Sequence, residues 1–308
     1  MLGILQRAIE IYRSDGTLDL LFAIRRFARY KPFWSKLNYP HKLIFEFNNG
    51  SGISVMNKDW DNLIILDACR YDVFQEYSDF NQHELQKVVS KGSWSLEFIN
   101  SNFAKSTFHD TVYVTANGFC EEIEDGTFFK LVKLYAENKG RRPEVVTESA
   151  IENVRKHPDK RLIVHYMQPH VPHLGSIAAN IDERIFRAAA SGQISDQLLT
   201  ESYIENFLIV QEHVNKLLRN LEGKTIITSD HGENLGEFGR SLRWYYSSFG
   251  PQKKKLYGHG HQTPECRFVP WCEISENKRK KITSSVPLPP AEVDDSTIQK
   301  QLKDLGYL

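Results

Sequence analysis

A chain of 308 residues is long enough for one large α/β domain or two small ones. With 39 basic against 39 acidic residues, its whole-chain charge excludes the usual electrostatic case for nucleic acid as partner. Four cysteines without a C-x-x-C pair exclude a disulfide scaffold and imply reduced, buried thiols.

Residues 1–45 are predicted to form a basic, amphipathic helical segment. Leu20, Leu21, Ala23, Ile24 and Phe27 fall at helical spacing, and Arg25, Arg26, Arg29 and Lys31 interleave with Phe27, Tyr30, Phe33 and Trp34. Such a segment suits peripheral contact with an anionic membrane, or packing on the domain with its long cations turned outward. Arg7, Glu10 and Arg13 interrupt any secretory apolar run, and no stretch approaches the roughly 20 apolar residues needed to cross a bilayer. The expectation is a cytoplasmic protein, with peripheral contact at the inner membrane face through residues 1–45. A main domain over 46–283 and a tail over 284–308 packing on it complete the division.

The first core strand is Leu63-Ile64-Ile65-Leu66, which ends on Asp67. Asp67 is read as the cap of a helix through Tyr71, Val73 and Phe74, or as a metal ligand. The turn at Ser90-Lys91-Gly92-Ser93 leads into a second helix, where Ser95 is an N-cap or a nucleophile set in the helix's positive potential. Val112-Tyr113-Val114-Thr115 is another strand, followed by Asn117, whose amide can donate into a cleft. A helix near Glu148 to Arg155 precedes the strand Leu162 to Met167. Beyond it, Pro169 and Pro172 predict an extended segment carrying His165, His170 and His173.

The strongest helix is predicted over 199–221, its apolar face made by Ile204, Phe207, Val210, Val214, Leu217 and Leu221. The β-branched strand Thr225-Ile226-Ile227-Thr228 follows and delivers Asp230 and His231 where strand gives way to loop. Asp230 is read as a helix cap or, with His231, as a ligand pair for a divalent cation. His259, between Gly258 and Gly260, is free to face a ligand. Arg267 to Trp271 is predicted as an edge strand because Pro270 lacks an N–H, and a short helix is expected around Leu302. The alternation of strand and helix predicts a three-layer α/β/α sandwich with a mostly parallel central sheet. Four strand ends carry Asp67, Asn117, His165 to His170, and Asp230-His231. That joint pattern points to one metal-dependent site beyond the carboxyl ends of the strands.

Ser229-Asp230-His231-Gly232-Glu233-Asn234-Leu235-Gly236-Glu237, with Tyr257-Gly258-His259-Gly260 downstream, resembles the sulfatase-like branch of the alkaline phosphatase superfamily. That branch includes arylsulfatases, phosphoethanolamine transferases and lipoteichoic acid synthases. His165 to His173, Asp67 to Asp72 and the closing Leu302 to Leu308 are similar to further motifs of the branch, so the likeness spans about residues 60 to 308. The resemblance implies an alkaline-phosphatase-like fold and one divalent ion (Zn, Mn or Ca) held by Asp67, Asp230, His231 and Ser95, with Ser95 as nucleophile. It implies His170 and His259 on the oxygens of the transferred group, and makes His261, Arg70 and Asn117 lesser substrate-binding candidates. The Cys-x-Pro-x-Arg motif of formylglycine sulfatases is missing. So is the Asp ahead of the middle histidine that two-metal phosphatases use, which argues for one ion. The implied activity is hydrolysis of phosphate or sulfate esters through a covalent seryl intermediate. Transfer of a phosphoryl head group to a glycan or lipid is the second reading, and a noncatalytic binding protein of the same fold the third.

Overall fold

The computed structural model describes residues 32–80, 82–104, 106–135, 141–181, 185–239, 254–274 and 278–289. The expectations for residues 1–31 and for the helix around Leu302 lie outside these residues. The chain divides into two compact units, residues 1–51 with 239–254, and residues 52–238 with 255–308. In the first, helix α1 (Pro32–Asn49) exposes Leu43, Ile44 and Phe47, the last by 92%. No helix among the described residues is long and apolar enough to cross a membrane.

The second unit is built on a sheet of seven strands. In chain order they are β1 (Asn62–Leu66), β2 (Glu84–Val89), β3 (Phe108–Thr115), β4 (Phe128–Lys133), β5 (Arg161–Tyr166), β6 (Thr225–Thr228) and β9 (Phe268–Ile274), arranged β2-β9-β6-β1-β5-β3-β4. The run β6-β1-β5-β3-β4 is parallel, while β9 is antiparallel to both β6 and β2. β7 (Asn234–Gly239) and β8 (Lys254–Gly258) form a separate ribbon. The prediction of a mostly parallel sheet holds.

Every residue of β1 is buried, as expected of a strand covered on both faces. Its alternate side chains serve two cores. Ile64 and Leu66 join Val112, Val114, Leu162, Val164 and Ile227 on one face, where helices α4 (Pro143–Lys156) and α6 (Asp196–Leu218) pack through Val146, Ala150, Phe207, Val210 and Val214. On the other face Leu63 and Ile65 meet Ile163, Ile226 and Tyr113 under helix α3 (Ser95–Phe103), through Phe98, Ile99 and Phe103. Local chemistry starts the long helices. The Ser195 hydroxyl accepts from Leu198 N at 3.1 Å to cap α6, and Pro143 opens α4 where its missing N–H costs nothing.

Three expectations are corrected here. β9 is interior, not an edge: Pro270 loses one ladder donor, but its carbonyl accepts from the Thr228 hydroxyl at 2.7 Å, and polar, half-exposed β2 takes the edge. Residues 168–173 fold back instead of running extended. His170 N donates to Asp67 O at 3.1 Å, and Asn206 of α6 donates to the Pro169 and His170 carbonyls at 2.9 and 3.1 Å. Neither Asp67 nor Asp230 caps a helix. Arg70 is the N-cap residue of helix α2 (Tyr71–Tyr77), and β7 follows Asp230.

Candidate active site

Parallel β6, β1, β5 and β3 lie side by side, with Leu66 opposite Tyr166, Ile65 opposite Thr228 and Thr115 opposite His165. Their carboxyl ends therefore open onto one region. Asp230 and His231 follow β6, Asp67 follows β1, His165 lies near the end of β5 and Asn117 follows β3.

His231 is the hub. Its Nε2 lies 3.4 Å from Asp67 Oδ1, 3.5 Å from Asp230 Oδ2 and 3.3 Å from Ser95 Oγ. Its Nδ1 faces the Gly232 carbonyl at 2.8 Å, an acceptor, so Nδ1 carries the proton and Nε2 the lone pair. The other carboxylate oxygens are engaged. Asp230 Oδ1 accepts from Ala68 N at 3.1 Å and His231 N at 2.9 Å, and Asp67 Oδ2 accepts from Asn117 Nδ2 at 2.8 Å. Asp67 Oδ1 and Asp230 Oδ2 are buried and without a hydrogen-bond donor.

Two carboxylates at 1% and 0% exposure cannot both carry charge without compensation. Burial and the charge of Asp230 push Asp67 up to about 7. Burial also opposes the Asp230 charge, but His231 and His165 outweigh it and hold Asp230 below the usual carboxylate range. A divalent cation resolves the conflict. Four donors about 2.0–2.2 Å from one ion stand about 3.3–3.6 Å from one another in a tetrahedral site. The three separations from His231 Nε2 fall in that range, as an ion held by Asp67, Asp230, His231 and Ser95 would require.

Ser95 reaches this cluster as the first residue of α3, not as its cap; the capping position is Trp94. The helix start is pinned by Glu97, whose carboxylate accepts from Ser93 N at 2.9 Å and Ser93 Oγ at 3.0 Å. Ser93, which also accepts from Gln262 at 3.0 Å, is thereby committed to structure. Gly232 is required by space, since a Cβ there would meet the Glu265 carbonyl oxygen at 2.0 Å. Ala68, immediately after Asp67, has φ 61, a left-handed conformation. The Tyr203 hydroxyl holds it by donating to its carbonyl at 2.6 Å.

A second group lies beside the first. His170, Glu233 and His259 bring ligand-type atoms within 4.8 Å of one another, and the His259 ring is 4.7 Å from that of His231 and 5.0 Å from that of His170. His259 Nδ1 pairs with Glu233 at 3.1 Å, and His170 Nδ1 with the Val171 carbonyl at 3.0 Å. Burial lifts Glu233 to about 7 and lowers His170 to about 4.

Of the predicted residues, Asp67, Ser95, Asn117, Asp230 and His231 converge, and His170 and His259 stand next to them. Arg70 is turned into a pair with Asp72 and Glu237 and donates to the Glu233 carbonyl at 3.3 Å. His261 is buried in the loop after Gly260 and belongs to neither group. Two residues had no role assigned from sequence: Glu233, whose signal was a place inside the Asp-His-Gly-Glu run, and His165, whose signal was a polar residue in an apolar strand.

No protein-family model and no curated protein matches the chain. Solved structures do. The integral membrane protein lipooligosaccharide phosphoethanolamine transferase A of Neisseria meningitidis aligns at 15% identity and a TM-score of 0.49, covering 70% of this chain and 47% of that one. The C-terminal periplasmic domain of EptC from Escherichia coli, solved as a complex with zinc, aligns at 12% and 0.38, covering 73% and 76%. A 2-O glycosaminoglycan sulfatase aligns at 11% and 0.41, covering 71% and 64%. These neighbours belong to the sulfatase-like alkaline phosphatase superfamily. The chain spans about half the length of the first of them.

Proposed function

We propose that this protein cleaves phosphate or sulfate esters by moving the phosphoryl or sulfuryl group onto Ser95 and from there to water. The observation that carries the reading is the position of the Ser95 hydroxyl, 3.3 Å from His231 Nε2 and 3.5 Å from Asp67 Oδ2 at the start of a nine-residue helix.

Asp67, Asp230 and His231 would hold the cation, with Ser95 as a fourth donor. When bound, the ion supplies Lewis acidity, which makes the serine hydroxyl more acidic and offsets charge on the transferred group. Ser95 Oγ gives up its proton and attacks the phosphorus or sulfur in line, the bond to the ester oxygen breaks and the alcohol leaves with a proton from solvent; water then cleaves the seryl ester and the Ser95 hydroxyl is restored. The free N–H groups and positive end of α3 favour the anion at that point. Asn117 holds Asp67 by donating to Oδ2, which keeps Oδ1 turned to the centre. His170 and His259, whose rings lie 5.0 Å apart beside the His231 ring, are assigned to the substrate's peripheral oxygens. Positioning and fixed electrostatics supply most of the rate in such a site.

The test is to incubate the protein with Mn²⁺ or Zn²⁺ and a chromogenic aryl phosphate or sulfate, quench in acid and map the modified residue by mass spectrometry. Label on Ser95 and chelator-sensitive release of the phenol are expected; turnover untouched by Ser95→Ala would end the reading. An added acceptor alcohol separates hydrolysis from head-group transfer, because transfer yields a new ester in place of free phosphate or sulfate.

A further inference from the structure

Distance alone would admit His165 as another ligand of the cation, since Asp67, His165 and Asp230 bring donor atoms within 4.8 Å of one another. Hydrogen-bond direction separates it from His231. The Nδ1 of His231 faces a carbonyl, which can only accept, whereas the Nδ1 of His165 faces the Tyr113 hydroxyl at 2.9 Å. That hydroxyl is fully buried and makes no other hydrogen bond among the described residues, so Nδ1 is the acceptor for its proton. Tyr113 then donates to Nδ1, and His165 keeps its proton on Nε2. That nitrogen stands 3.6 Å from Asp230 Oδ2, longer than a hydrogen bond, and neither atom has a hydrogen-bond partner among the described residues; a lone pair there would repel the carboxylate, whereas an N–H attracts it. All of these groups are buried, and the Tyr113 and His165 rings lie nearly parallel at 10°.

We infer that His165 is a positioning residue and not a ligand: the Tyr113 hydroxyl fixes its Nε2–H tautomer and turns that N–H toward Asp230. Asp230 then has Oδ1 held by the Ala68 and His231 amides and Oδ2 faced by the His165 N–H, which together orient it toward the cation site. The inference rests on reading Asp67, Asp230 and His231 as the ligands.

The experiment is nitrogen NMR of the histidine rings in the ¹⁵N-labelled full-length protein, before and during titration with Zn²⁺ alone, the His165 signals being assigned by their loss in His165→Gln. The expected result is an Nε2–H tautomer for His165 that persists when Zn²⁺ binds, while His231 Nε2 takes the shift of a bound nitrogen. Zn²⁺ affinity should fall about tenfold or more in Tyr113→Phe, the usual scale for a partner that orients a ligand. It should fall further in His165→Leu than in His165→Gln, whose amide N–H retains a donor. A ligand-type shift at His165 Nε2, or an Nδ1–H tautomer, overturns the inference and leaves the seryl reading standing. If neither histidine responds to Zn²⁺, the cation reading falls and this one with it. The spectra of the unsubstituted protein decide the matter even where a variant does not fold.

Discussion

Ser95 Oγ lies 3.3 Å from Nε2 of His231, a residue 136 positions further along the chain. Helix α3 packs on the sheet face lined by Ile65 and Ile226, and His231 follows the end of β6, so the contact joins two parts of the chain that only the sheet brings together. Ser95→Ala should lower turnover of an aryl phosphate or sulfate by at least about three orders of magnitude, the scale seen when a nucleophile is removed, while Asp67, Asp230 and His231 still bind Zn²⁺ by calorimetry. Ser93→Ala, which deletes bonds to Glu97 and Gln262, should cost about 1 kcal/mol of stability and leave the covalent adduct on Ser95.

The pH dependence of the cation-free protein follows from Asp67. Burial raises its pKa to about 7, so the folded state keeps a proton there that the unfolded chain releases near the ordinary value. The stability contributed by that proton is fully present below about pH 4 and is lost as pH rises towards 7. In EDTA, the melting temperature of Asp67→Asn relative to the unsubstituted protein should therefore rise by roughly 5 °C between pH 5 and pH 7.5. Adding Zn²⁺ at pH 7.5 should reverse the order, because the amide replaces a ligand.

Glu233 is fully buried and pairs with His259 Nδ1 at 3.1 Å. Glu233→Gln keeps the volume but removes the carboxylate that orients the ring. We expect kcat/KM to fall about ten- to a hundredfold, by analogy with other partners that orient a functional histidine. Metal analysis should still read one ion per chain; two ions falling to one in the variant would instead assign His170, Glu233 and His259 to a second cation.

Gly232→Ala tests the backbone. A Cβ there would overlap the Glu265 carbonyl, and Gly232 N also donates to Cys266 O at 2.9 Å. The segment from Asp230 to Glu233 must then shift, at a cost of about 1–3 kcal/mol. Thermal melting and Zn²⁺ affinity should worsen together.

Helix α1 presents Leu43, Ile44 and Phe47 to solvent. We propose that this face, with the basic residues ahead of it, is where the protein touches an anionic membrane. The full chain should float with phosphatidylserine vesicles and Phe47→Asp should weaken flotation severalfold; equal flotation of the two would remove α1 from the contact.

Periodicity alone revealed the parallel sheet, because strands covered on both faces are written as unbroken apolar runs, and Leu63 to Leu66, Leu162 to Tyr166 and Thr225 to Thr228 are such runs. β2 escaped notice because an edge strand with a polar, half-exposed pattern has no such signature, and interior β9 was misplaced because one proline outweighed its apolar neighbours. At the site, residue type and place in the chain marked out Asp67, Asn117, Asp230 and His231, each at the end of its strand. Only the tertiary structure decided which oxygens remain without donors, which serine is committed to Glu97, and which ring nitrogen carries the proton. Hydrogen-bond direction depends on local backbone and on partners brought from other strands: the Gly232 carbonyl, next in the chain, turns the His231 lone pair toward Asp67 and Asp230, whereas the Tyr113 hydroxyl reaches Nδ1 of His165 from β3. Spacing along a sequence carries no record of such partners, since they become neighbours only when the strands align.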